Sequence, residues 1–141
     1  MRERIAYTCW TVLKIKALWL PFIFLLPLSF IWFELFCRLG VAALLVPAGV
    51  VLHEILHILF LPDGVPIEVE RHTLFVRVHI DGYLSPIRSL FAALLPGMLL
   101  PLFGMLVYVV DPILALPLLV HMLSLPVDLH HWYVGVRDGD A

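Results

Sequence analysis

Four stretches of this 141-residue chain run for about 20 residues with no more than one Asp, Glu, Lys or Arg in each. That feature limits the fold before any other, because about 20 apolar residues are what a helix needs to cross ~30 Å of hydrocarbon. The spans expected are 17–37, 41–61, 89–110 and 113–134, with a shorter apolar stretch, 5–13, lying at the interface or extending the first. Composition agrees: 62% of residues are hydrophobic and 14% charged, against roughly half and a quarter in soluble domains. The expected fold class is therefore mainly α, a polytopic membrane protein of about four transmembrane helices forming one domain over 1–141. "RLG" at 38–40 and "DP" at 111–112 are read as the tight turns of helical hairpins. Prolines inside the spans predict kinks rather than breaks, since neighbouring helices can satisfy the carbonyls they free.

Residues 62–83 follow a different rule. In "LFVRVHID" Leu74, Val76, Val78 and Ile80 alternate with Phe75, Arg77, His79 and Asp81, and "PIEVE" alternates as well. A period of two marks a strand with one apolar face, so a β-hairpin over about 65–83 is expected on the membrane surface. Arg77 and His79 share its polar face, as a solvated face or as contacts to substrate or lipid headgroups.

With four spans and an inside N-terminus, eight basic residues (Arg2, Arg4, Lys14, Lys16, Arg71, Arg77, Arg88 and Arg137) fall inside and Arg38 alone outside. Basic residues gather on the cytoplasmic side. The expectation is a multi-pass protein of the cell membrane, with both termini and the hairpin cytoplasmic and the first span an uncleaved signal anchor. The net charge of −2 excludes nucleic acid as a partner. Cys9 and Cys37 fall at opposite faces, which excludes a disulfide between them, and Glu34 precedes Arg38 by one turn, the favourable order for a helical ion pair.

Within the second span lies "HEILH", His53 to His57. Positions i and i+4 lie about 40° apart on a helix, so both imidazoles can reach one zinc ion, with Glu54 near enough to act as general base on water. Ionisable groups at such depth are costly and functional by default. A catalytic zinc takes three protein ligands and one open position. Asp63 has a suitable spacing from the motif but lacks the glycine that usually precedes it, and Asp111 lies at the opposite end of the bundle. Asp128 matches in depth, since it and His57 each stand a few residues from the cytoplasmic end of their helices, and Pro126 loosens the backbone beside it. His131 or His130 is the next choice.

A buried "HEILH" followed by an aspartate in "LPVDL" resembles the site-2 protease clan of intramembrane zinc metalloproteases. The likeness is closest to a group of membrane zincin peptidases of unknown function, in which a hairpin and a proline-bearing helix such as "ALLPGMLLP" precede the aspartate. The resemblance covers about 41–132. It implies His53, His57 and Asp128 as ligands of one zinc per chain, Glu54 as catalytic base, and a hairpin that helps to hold an extended membrane-protein or membrane-peptide substrate. Two departures stand out. Leu129 follows the aspartate where a glycine is usual, and the chain has no Asn or Gln to steady an oxyanion. That role would fall to His121, on the face of Asp128 but ~10 Å deeper, or to His131. A metal transporter and a non-catalytic zinc-binding scaffold are the competing readings.

Overall fold

The computed structural model describes residues 1–62, 65–71, 76–80 and 84–138. Its helices are α1 (Arg2–Leu13), α2 (Leu20–Leu25), α3 (Leu28–Ile31), α4 (Phe33–Leu59), α5 (Pro86–Tyr108), α6 (Pro112–Leu119) and α7 (Leu125–Asp138). Short 3-10 turns, Lys16–Trp19 and Val120–Leu123, lead into α2 and join α6 to α7. Among the described residues three helices are long and apolar enough to cross a membrane: Phe33–Leu59, Pro86–Tyr108 and Pro112–Val134. The bent pair Arg2–Leu13 and Lys16–Ile31, at 65° to each other, makes a fourth if it is counted as one span.

The first half of the chain therefore departs from the expected pattern in two places. "RLG" is not a turn. Residues 38–40 continue inside α4, which begins at Phe33. Glycine in a helix interior costs about 1 kcal/mol against alanine, less than unpairing several backbone groups in an apolar environment. The break falls instead at Trp32, whose extended backbone (φ −149°, ψ 86°) separates α3 from α4. The expected span 17–37 is correspondingly not one helix. Pro21 sits in the first turn of α2 and Pro27 directly precedes α3, and proline can neither donate its amide nor sit deep in a helix without cost.

The two ends of the bundle carry different polar contacts. At one end Arg4 Nη1 donates to the Pro62 carbonyl at 3.3 Å, tying α1 to the segment that leaves α4. At the other, Arg38 meets Asp111 Oδ2 through Nε at 3.1 Å and Nη2 at 2.7 Å. Arg38 thus pairs across the bundle with Asp111 rather than with Glu34 on its own helix. Asp111 also caps α6, its Oδ1 accepting from Ile113 N at 2.9 Å.

Packing runs opposite to that of a soluble domain. Buried positions on α4, α5 and α6 include many small residues, Ala42, Ala43, Gly49, Ala92, Ala93, Gly97, Gly104 and Ala115, beside a few larger ones such as Ile58, Leu100 and Leu118, while Phe24, Phe30, Ile31, Val109, Val110 and Leu123 are exposed. Small residues inside let helix backbones approach closely, the pattern of helices that pack in lipid. Near α1 the pattern is conventional. Val12, Ile15, Leu18 and Val69 form a buried cluster with Val46, Val50, Val51, Ile67 and Val78 packed against it.

Strands β1 (Ile67–Arg71) and β2 (Val76–Ile80) pair antiparallel, with Ile67 opposite Ile80, Val69 opposite Val78, Glu68 opposite His79 and Glu70 opposite Arg77. Directly opposed residues share a face, so Ile67, Val69 and Val78 form one side. Val69 sends that side into the α1 cluster. The segments that would complete the expected hairpin, 72–75 and 81–83, lie outside the described residues.

Candidate metal centre

Helix α4 places the motif. His53 and Glu54 are buried at 6% and 7% exposure and His57 is partly buried one turn on. Their two Nε2 atoms stand 3.1 Å apart, close to the ~3.3 Å separating two nitrogens each about 2.0–2.1 Å from one tetrahedral ion. The ring of His57 is fixed from behind, because its Nδ1 lies 2.8 Å from the Ala92 carbonyl of α5. A carbonyl only accepts, so the proton is on Nδ1 and the Nε2 lone pair points into the site.

Helix α7 supplies the third group. Asp128 sits in its first turn, with Oδ2 at 3.6 Å from His53 Nε2 and Oδ1 at 3.9 Å from His57 Nε2. Two contacts set the position of that turn. Gly97 of α5 faces Leu125, where a Cβ would come within 2.8 Å of Leu125 Cβ. One turn beyond Asp128, the Trp132 indole donates to Ser89 Oγ at 3.1 Å and to the Pro86 carbonyl at 3.3 Å.

His53, His57 and Asp128 each offer one ligand atom within 4.8 Å of the others, a group able to hold a metal ion. The donor set fits a cation. Asp128 Oδ2 is buried without a hydrogen-bond partner, it stands 3.6 Å from His53 Nε2, and the His57 Nε2 lone pair turns toward the same point. A buried carboxylate oxygen without a donor is expensive, and a bound cation relieves it. Three protein ligands also leave the fourth tetrahedral position open. Comparisons with family models, curated proteins and solved structures find no match. The site accordingly stands on its own geometry.

Behind the trio lies His121, buried, its ring stacked on that of His53 with centroids 5.2 Å apart and an interplanar angle of 22°. Its Nε2 faces α4, where a Cβ at Gly49 would lie 2.6 Å away. Seven residues before Asp128 is ~10 Å deeper, and that depth is level with Gly49, one turn beyond His53. His121 therefore reaches the site from its deep side, through the ring of His53.

The remaining sequence-predicted residues are distributed elsewhere. His130 and His131 are exposed on α7, their rings 6.2 Å apart, and neither is in the ligand group. Arg77 and His79 occupy alternate positions of β2, but their side chains, like Asp63, lie outside the described residues. Asp111 is held by Arg38 at the other end of the bundle. Two contributors were not anticipated from the sequence, the Ala92 carbonyl and the Trp132–Ser89 contact. The first had a signal in the sequence, since Pro96 stands four residues after Ala92 and has no amide hydrogen to give it.

Proposed function

We propose that this chain is an intramembrane zinc-dependent endopeptidase, with one zinc per chain held by His53, His57 and Asp128 and with Glu54 as general base. The observation that carries the reading is the convergence of three candidate ligand atoms, from one buried and two partly buried side chains, beside a buried carboxylate that is not one of them. Zinc in such a site polarises a carbonyl and brings the pKa of water toward neutrality.

The chain's own groups then have distinct tasks. Glu54, next to His53 and shielded from solvent, accepts a proton from the attacking water and returns it to the leaving amine. His57 is oriented by Ala92, and His53 is backed by His121, whose Nε2 faces the α4 backbone. That placement favours a supporting role for His121 over donation to an oxyanion. The outward large side chains and inward small ones support a site embedded in lipid. Its substrate would be a membrane segment locally unwound to present extended backbone. On the expected topology eight of nine basic residues fall on the side of the motif, which supports a cytoplasmic opening and a cell-membrane location with both termini inside.

Purified protein should carry close to one zinc per chain by elemental analysis, and Asp128→Ala should lose most of it. Glu54→Gln should keep the zinc and lose cleavage of a membrane-bound reporter by on the order of a thousandfold or more, given that acid–base groups contribute about 10²–10⁴. Equal cleavage by wild type and Glu54→Gln would sink the protease reading. Zinc flux into proteoliposomes that survives Glu54→Gln would point to transport, and stoichiometric zinc with neither cleavage nor flux to a scaffold.

A further inference from the structure

Helix α5 runs unbroken from Pro86 to Tyr108 with two prolines inside it, Pro96 and Pro101. In a regular helix the carbonyl of residue 92 would accept from the amide of residue 96. Proline has no amide hydrogen, so Ala92 retains an unused acceptor one turn upstream. In an apolar bundle that acceptor must find another donor or remain unsatisfied at a cost. The donor it meets is His57 Nδ1, at 2.8 Å.

We infer that Pro96 is a positioning residue of the metal centre: by withholding an amide, it leaves the Ala92 carbonyl for His57 and so fixes the tautomer and ring angle that aim Nε2 at the ion. The inference rests on the reading of His57 as a metal ligand. Three observations meet in it. Pro96 is among the most completely buried side chains of the protein, Ala92 is buried where α5 faces α4, and His57 Nε2 lies 3.1 Å from its partner ligand atom. A proline placed merely to bend α5 would not require that a histidine occupy the carbonyl it frees. Partners of this kind on a ligand's second nitrogen typically change metal affinity by about 10–100-fold when removed.

The test restores the missing donor. Pro96→Ala gives Ala92 a backbone partner in competition with His57. Pro101→Ala makes the same change one and a half turns on, at a carbonyl that His57 does not use, and controls for general disturbance of α5. A third variant, Pro96→lactate, puts an ester in place of the amide, discarding the ring while still offering no N–H. Zinc affinity is read by competition with a chelator, and the His57 tautomer in metal-free protein by nitrogen NMR of labelled histidine.

Pro96→Ala should bind zinc 10–100-fold more weakly and show a mixed His57 tautomer, while Pro101→Ala and the ester variant keep the wild-type tautomer and affinity within a few-fold. A Pro96→Ala protein with wild-type affinity and a pure Nδ1–H tautomer overturns the inference. So does an ester variant as weak as Pro96→Ala, which would assign the effect to lost ring packing. If wild type binds no zinc, the proposed function fails, and the tautomer comparison alone then decides the role of Pro96.

Discussion

A side chain at position 49 would strike His121, since even a Cβ there lies 2.6 Å from its Nε2. The ring cannot yield without leaving the face of His53, on which it is stacked. Gly49→Ala should therefore act on the metal centre from one turn away. We expect zinc affinity to fall by about tenfold, the lower end for outer-shell damage, measured by chelator competition. In a Gly49→Ala/His121→Ala double variant the two losses should not add, because both remove the same support. Fully additive losses would show that Gly49 matters for another reason. At this scale the motif was legible because its spacing is helical, and Asp128 because depth can be counted along two helices. His121 was harder to assign. Its depth followed from counting, but counting could not show that Gly49 leaves an empty place at that depth for the ring to fill.

Helix α7 packs against α5, and its setting depends on what it meets there. Gly97 admits Leu125 just before Asp128, and Ser89 with the Pro86 carbonyl takes the Trp132 indole just after it. Trp132→Phe keeps the apolar bulk and removes the donor, at a cost in stability of about 1 kcal/mol for one hydrogen bond. Since Trp132 stands one turn from Asp128, zinc affinity should fall several-fold as well. Ser89→Ala should reproduce part of the loss, because the Pro86 carbonyl remains. Thermal melts with and without zinc separate the two effects; a variant whose melting shift is the same in both conditions would leave Asp128 unaffected. Element boundaries were the least legible part of the sequence. A tryptophan usually marks an interface, yet Trp32 lies at the break before α4, while "RLG", with the look of a turn, is helical. Local turn signals compete with the cost of unpaired backbone in an apolar setting, and at residues 38–40 the backbone prevails.

Across the whole molecule hydropathy located long apolar helices, and the pattern expected from it was too regular in detail. Among the described residues three helices meet the length and apolarity of a span, and the N-terminal segment is a chain of short helices with a 65° bend between Arg2–Leu13 and Lys16–Ile31 and breaks at Pro27 and Trp32. Hydropathy reports how apolar a segment is and says little about where its backbone hydrogen bonds are interrupted. The far end of the bundle offers a test that is independent of the metal. Asp111 is held below the ordinary carboxylate pKa of 3.8, first by its hydrogen bond from Arg38 and further by the Ile113 and Leu114 amides, with desolvation opposing. A carboxylate whose folded pKa is depressed contributes stability that is complete above its unfolded value and is lost as pH falls through the folded one. The melting temperature of the wild type should therefore decline below about pH 4 partly through this group. Asp111→Asn should melt lower at neutral pH and lose less on acidification, so that the two curves converge at the acid end. Because Arg38 and Asp111 clamp the end of the bundle opposite the ligands, Asp111→Asn should keep wild-type zinc affinity at neutral pH. A parallel drop in affinity would mean that closure of the far end is transmitted along α4 and α6 to the metal centre, and that the bundle behaves as one rigid frame.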